Sequence, residues 1–362
     1  MNKKVMLVLS VVLAFIGKIY SAGYIYTTTF LGQKVVNSPV SVGIGNIGGL
    51  VYSLIAMKTS PAGLVYLNTP AVEVGYGLSS VEEKIAENNQ SALKSNFSFF
   101  SQPDMSFYYP IKLKSLNIKF GVGVGFFSEY ESNYSFSYST NEYKVNGDIS
   151  SVVVPVVIGG EKMCLGIGVK NYIGSKKVNF LEKENISGNG MIFSGVIRFG
   201  NTIFGVSYSG QSEVVVKNNI VEEKTSLPQS LCFSVRYDFE LVEDRTSSAY
   251  FETNTIEYSK IKVGDFNAGF SDVIITSLGV EKILSDSFIL RVGFFYEPSY
   301  LVYGNVKTGI SCGIGYFKEK IEFNLGASYS KENYKGDGNL FSTKKVIDEN
   351  YTNLVVGVRY KL

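Results

Sequence analysis

The last ten residues, Asn353-Leu354-Val355-Val356-Gly357-Val358-Arg359-Tyr360-Lys361-Leu362, decide how the rest of the chain is read. Leu354, Val356, Val358, Tyr360 and Leu362 share one parity. Asn353, Gly357, Arg359 and Lys361 share the other, with Val355 the one exception. A period of two is that of a β-strand, with the apolar set on one face and the polar, small or charged set on the opposite face.

The signature recurs upstream. Val72, Val74, Tyr76 and Leu78 alternate with Glu73, Gly75 and Gly77, and Leu116, Ile118, Phe120, Val122, Val124 and Phe126 with Asn117, Lys119 and three glycines. Met163 to Lys170, Ser230 to Asp238, Ser287 to Tyr296 and Ile321 to Tyr329 repeat it. Weaker segments lie near 106–114, 149–159, 190–199, 202–209, 249–258, 273–282 and 306–317, giving about fourteen strands.

Alternation also suits a soluble sandwich, so the connections discriminate. The expected long ones cover 79–105, 128–148, 173–189, 210–228, 259–272, 297–305 and 331–349. The short ones fall near Ser115, Gly160, Gly200, Leu241–Ser247, Ser285 and Phe317–Glu319. Long loops at one end and tight turns at the other are the habit of bacterial outer-membrane barrels. A Lys or Arg facing lipid near the midplane costs about 2–4 kcal/mol. Arg198, Arg236, Arg291 and Arg359 all take the opposite parity from the apolar sets. The expected fold is all-β, a transmembrane antiparallel β-barrel over 71–362.

Composition agrees. Of 362 residues, 45% are apolar and only 18% charged, sparse for a water-exposed surface. The net charge of +2 gives no electrostatic case for nucleic acid. Histidine is absent, which removes His-based triads, His-ligated metals and imidazole acid–base chemistry, and no cofactor motif stands out. Cys164, Cys232 and Cys312 all fall inside expected strands and are read as small buried hydrophobes rather than disulfide partners.

At the N-terminus, Lys3 and Lys4 precede an apolar run from Val5 to Gly17 and small or polar residues at Ser21, Ala22 and Gly23. Residues 1–22 read as a signal peptide cleaved near 21–23, too short in its apolar part to span a bilayer. Residues 23–70 lack strand alternation and hold Gly43, Gly45, Gly48 and Gly49, then an apolar stretch from Leu50 to Met57. Side chains alone do not fill a bore this wide, so this segment is the expected hatch, or plug. Its Gly43-Ile44-Gly45-Asn46-Ile47-Gly48 run matches a dinucleotide fingerprint by spacing. It lacks the acidic residue about twenty positions on and the βαβ frame, so it is read as glycine flexibility at the start of a short plug helix.

The stretches Ser41-Val42-Gly43-Ile44-Gly45-Asn46-Ile47-Gly48-Gly49-Leu50, Thr59-Ser60-Pro61-Ala62-Gly63-Leu64 and Pro70-Ala71-Val72-Glu73-Val74-Gly75-Tyr76 resemble the hatch and first strand of the FadL/TodX family. Gly205-Val206-Ser207-Tyr208, Leu227-Pro228 and Ser277-Leu278-Gly279-Val280 sit where that family has comparable strand sequences. Its hatch motif has Asn where this chain has Ser60, followed by Pro61, Ala62 and Gly63. The acidic pair usual before the motif is missing, with Val51-Tyr52-Ser53 nearby instead.

The resemblance implies a non-enzymatic outer-membrane protein, in contact with membrane lipid, that takes up long-chain fatty acids or hydrocarbons. For such a hydrophobic small-molecule ligand, Phe127 and Phe295 are candidate binding residues, because they break the polar parity of their strands. For a carboxylate head group the candidates are Arg198, Arg236 and Arg291. The plain alternative is that each arginine pairs with a lumen carboxylate such as Glu252, Glu297 or Glu322. Rival functions are a general porin and a barrel serving secretion or surface attachment, the latter needing a protein partner that the sequence does not identify.

Overall fold

The structure, a computed structural model, describes residues 33–362 apart from 36–37, 88–89, 100–103, 114–117, 139–140, 161, 179–181, 220–221, 243–244, 264–265, 302–303 and 337–344. The expected signal peptide, residues 1–22, and the first part of the expected hatch lie outside the described residues.

All strand pairings are antiparallel, and the ladder returns to its start as a closed 14-strand barrel. The wall begins with β1 (Ala71–Glu87), β2 (Gln90–Phe99 and Asp104–Leu113), β3 (Ile118–Glu131, extended by Tyr134–Tyr138), β4 (Asn141–Gly159) and β5 (Met163–Val178). It continues through β6 (Glu184–Phe199), β7 (Thr202–Ser209 and Ser212–Lys217), β8 (Glu222–Leu227 and Gln229–Val242), β9 (Arg245–Glu257) and β10 (Val273–Ser285). It ends with β11 (Phe288–Pro298), β12 (Val306–Lys318), β13 (Ile321–Gly336) and β14 (Lys345–Lys361). Closure is made by β1 on β14, in register from Ala71↔Lys361 to Ala86↔Val346.

Burial is inverted relative to a water-soluble protein. Outward Leu231, Val292 and Ile310 are 51%, 50% and 63% exposed, whereas inward Arg236, Glu281 and Glu322 are buried. A continuous apolar outer surface of this kind belongs in lipid. Cys164 and Cys232 are buried as expected, but Cys312 points outward and is exposed. It shares the parity of Ile310 and Ile314.

Much of what the sequence suggested were loops is strand. β1 runs on to Glu87, β4 begins at Asn141, β5 reaches Val178, β13 reaches Gly336 and β14 begins at Lys345. Beyond the apolar band the outer face meets water, so the alternation of hydrophobicity fades although the hydrogen-bond ladder continues. The tight turns near Gly200, Ser285 and Phe317–Glu319 keep their expected places, while the one near Ser115 lies outside the described residues. Gly200, at φ 56°, sits between β6 and β7, and Glu319, at φ 52°, between β12 and β13.

The N-terminal segment packs inside this wall. Ser38 caps α1 (Pro39–Gly43): its hydroxyl accepts the Ser41 amide at 3.4 Å, and Pro39 takes the first helical position, where its missing N–H is harmless. α1 touches β11 to β14, whereas the 3₁₀ turn Pro61–Tyr66 touches β3 to β6. The segment therefore crosses the bore, with α2 (Ala56–Thr59) between the two contacts. Val40, Ile44, Ile47, Leu54, Met57 and Leu64 form its apolar core with inward residues such as Tyr108, Val153 and Val196.

The glycine run begins at the last residue of α1 and continues past it instead of starting a helix, which corrects the expectation. Gly45 has φ 88°, and a Cβ there would stand 2.7 Å from the Phe294 carbonyl oxygen. On the wall, a Cβ on Gly293 would stand 2.1 Å from the Gly45 nitrogen. Glycines on both sides let backbone meet backbone.

Candidate functional site

A ring of polar anchors holds the segment to the wall. The Arg236 guanidinium, fully buried, donates to Asp238 at 2.6 Å and to the Tyr52 hydroxyl at 2.6 Å, and lies 4.0 Å from the Tyr52 ring centroid. Arg359 donates to the Tyr52 carbonyl and to Glu322. Glu73 accepts the Ser53 hydroxyl at 2.5 Å and the Leu54 amide at 3.0 Å. Elsewhere Glu252 accepts the Gly49 amide at 2.8 Å, and Ser311 accepts the Gly45 amide at 2.9 Å. Among the Ser60–Gly63 residues, the Ala62 amide donates to the Ser194 hydroxyl at 2.7 Å. Glu73, Glu252 and Ser311 take their places because inward parity delivers polar side chains to the bore.

Above the segment lies a cavity of about 190 Å³. Its floor is built from Val42, Asn46, Ile55 and Lys58, and its sides from Ile192, Leu227, Ile256, Ile275 and Phe295. Four lysines reach it, Lys34, Lys58, Lys170 and Lys307, against three carboxylates, Glu129, Glu252 and Glu297. Glu129 lies 3.5 Å from Lys170 and 3.9 Å from Lys58, and Glu297 lies 3.0 Å from Lys307. Lys58 also donates to the Ser128 carbonyl at 2.7 Å.

Lys34 reaches the cavity from a short strand, Gln33–Lys34, laid against β3 with Lys34 opposite Tyr130. Its side chain is exposed, but onto the cavity and within the surrounding protein. Burial therefore lowers its pKa, partly offset by the attraction of Glu297 and Glu129. The ladder between β2 and β3 ends at Met105↔Phe126, and this short strand lies beside β3 beyond that point.

The candidate site residues named from sequence fall in different places. Phe295 lines the cavity. Phe127 is buried below Lys58, whose ammonium lies 5.6 Å from its ring centroid. Arg236 and Arg291 are buried beneath the cavity floor. Arg291 donates to Glu281 at 2.6 Å and to Asn324 at 2.7 Å. Arg198, partly exposed, donates to Asp238 at 3.1 Å near the tight-turn end. Their partners are thus Asp238 and Glu281, not Glu252 or Glu297, and Glu322 is taken by Arg359. None of the four cavity lysines is among the candidate site residues named from sequence, although Lys170 and Lys307 hold inward parity on β5 and β12. That parity was the one signal available for them.

No family model matches the sequence, and neither does any curated protein. Solved structures do match. The crystal structure of a Pseudomonas aeruginosa FadL homologue superposes with a TM-score of 0.68 at 11% identity, covering 91% of this chain and 99% of that one. The CymD monoaromatic hydrocarbon channel gives 0.63 at 14% identity, over 91% of this chain and 99% of that one. The Ralstonia pickettii toluene transporter TbuX gives 0.62 at 14%, over 92% and 100%. At these identities the likeness establishes the fold: the chain is a FadL-type barrel in its architecture.

Proposed function

We propose that this protein is an outer-membrane transporter that takes up hydrophobic small molecules, long-chain fatty acids or hydrocarbons, through a barrel stoppered by its N-terminal segment. The observation that carries the reading is the cavity of about 190 Å³ held above that segment inside a barrel whose outer face is apolar. An apolar solute gains nothing from a water-filled pore; it needs a place out of water and a stopper that can shift. A cavity of about 150 Å³ already holds a benzene-sized molecule. A single aromatic ring or part of an alkyl chain fits as the cavity stands, and a long chain needs the segment to give way.

The lining favours an amphiphile over a pure hydrocarbon, since four ammonium groups face three carboxylates and Ile192, Ile256, Ile275 and Phe295 supply the apolar remainder. Lys170 and Lys58 are the proposed contacts for a carboxylate, with Phe295 beside the chain. The ligand then leaves past the N-terminal segment or sideways between β2 and β3, where Gln33–Lys34 closes the ladder. A filled bore supports this reading over a general porin.

The test is equilibrium binding to the purified protein of a fluorescent long-chain fatty acid, with toluene and an unlabelled fatty acid as competitors. Saturable binding displaced by the unlabelled acid is expected, and absence of any saturable binding ends the reading. Deleting residues 24–66 is expected to turn a poorly conducting barrel into an open pore in planar bilayers.

A further inference from the structure

Beside the cavity lies an apolar layer to which two connections contribute, neither of them singled out by a sequence motif. Between β9 and β10 the chain makes a 3₁₀ turn, Tyr258–Lys260, and folds back through Phe270. Between β11 and β12 it turns through Tyr300. Tyr258 and Tyr300 come from these two connections, yet their rings stack at 4.1 Å with an interplanar angle of 11°. Phe270 meets Tyr300 edge-on at 5.4 Å. A backbone bond, Ser271 N–H to the Tyr300 carbonyl at 2.9 Å, accompanies the stack.

Loop residues are ordinarily wet, but Tyr258 and Tyr300 are only 3% and 6% exposed. They are buried because inward side chains from around the barrel converge on them, including Val81 of β1, Ile149 of β4, Ile186 of β6, Val214 of β7 and Tyr351 of β14. Leu227, Ile256 and Tyr351 belong both to this apolar layer and to the cavity lining, so the layer adjoins the cavity, with Tyr258, Phe270 and Tyr300 behind the residues that line it. Tyr258 is tied to the wall by a side-chain hydrogen bond with Tyr130 of β3, and further attachments follow along the neighbouring strands. Thr225 pairs with Val263, its hydroxyl donates to the Lys262 carbonyl at 2.6 Å, and the Gln211 side chain donates to the Lys260 carbonyl at 3.1 Å.

We infer that Tyr258, Phe270 and Tyr300 form the outer gate of the cavity, with the Tyr258–Tyr300 stack as the clasp between its two leaves. An apolar or aromatic molecule passes by taking the place of one stacked ring, so the seam admits the chemistry it is itself made of. A water-soluble ion offers no such replacement and is held out by the same layer. The inference rests on the proposal that the cavity takes a hydrophobic ligand.

The test is stopped-flow association of a fluorescent long-chain fatty acid with the purified full barrel. Wild type is compared with Tyr258→Ala, Tyr300→Ala and Tyr300→Phe. The ladders end at Glu257 and resume at Val273, so these substitutions leave the wall intact. Removing either tyrosine is expected to raise association and dissociation rates together by roughly tenfold, the scale of a lost aromatic pair, with little change in Kd. Tyr300→Phe is expected to retain wild-type rates.

In a Cys312→Ser background, Gln211→Cys with Lys260→Cys is expected to slow association when oxidised and to recover on reduction. Equilibrium binding with association rates unmoved by Tyr300→Ala and by oxidation overturns the gate alone. Failure of every protein to bind at equilibrium overturns the transport reading as well.

Discussion

Replacing Arg236 by alanine separates the strength of the wall from its hold on the N-terminal segment. Arg236 and Arg291 are the largest fully buried side chains among the described residues, and Arg236 ties the wall to the N-terminal segment through the Tyr52 hydroxyl at 2.6 Å and the Tyr52 ring at 4.0 Å. Removing one partner of a buried ion pair costs about 3–5 kcal/mol. Asp238 keeps Arg198 at 3.1 Å, which puts the loss near the lower end of that range. The share that tethers the segment is a charge-assisted hydrogen bond of about 1.5–3 kcal/mol and a desolvated cation–π contact of about 2 kcal/mol. At the lower end of these ranges, a loss of about 3.5 kcal/mol raises the detached population about 10²- to 10³-fold, at roughly 1.4 kcal/mol per factor of ten.

The barrel itself should persist, because β8 keeps its full registers with β7 and β9. Single-channel recordings in planar bilayers are expected to show frequent openings in Arg236→Ala that are rare in wild type. Amide exchange over Leu50–Leu54 should accelerate while that of β8 does not. Unchanged opening frequency together with unchanged exchange over those residues would refute the idea that this clamp retains the segment.

Other consequences follow from single contacts. Gly293→Val is expected to displace the N-terminal segment and raise conductance, since its Cβ alone would stand 2.1 Å from the Gly45 nitrogen; conductance equal to wild type counts against the close approach. Val292→Arg, the adjacent outward position, is expected to lower folding stability in lipid vesicles by about 2–4 kcal/mol, measured by urea unfolding. Lys170→Met is expected to weaken binding of a long-chain carboxylate about tenfold and leave a neutral hydrocarbon competitor unchanged, whereas Arg291→Ala, beneath the floor, leaves both affinities alone. Burial pushes the Tyr66 phenol up to about 12, with Arg198 and Arg236 pulling the other way. The folded protein therefore holds that proton more tightly than the unfolded chain. Tyr66 contributes stability that is present below pH 10 and lost as pH rises from 10 to 12, and Tyr66→Phe should flatten that loss in a thermal-melt series.

Within the apolar band the sequence was sufficient, because a strand between lipid and a polar bore must carry opposite chemistry on opposite parities. Leu354 to Leu362 therefore announced an outward face, and the strand cores of β1, β5, β8, β11 and β13 followed from the same period. Beyond the band the rule has nothing to report. Water wets the outer face there, polar residues serve on both sides, and stretches such as 134–138, 212–217 and 222–227 looked like loops while remaining strand. The glycine-rich segment before β1 was legible as something other than wall, but its fit against Gly279 and Gly293 required the backbone in three dimensions.

Inward charges show the limit most clearly. Parity tells that Arg236, Arg291 and Lys170 point into the bore, yet a closed cylinder brings together residues from strands far apart in the chain. Only the registers and the path of the N-terminal segment decide that Arg236 and Arg291 are spent on anchoring while Lys170 faces the cavity. The medium writes the face of each strand into its residues one by one. Which faces meet across the bore, and which two loops stack a tyrosine on a tyrosine, is a property of closure that no single strand contains.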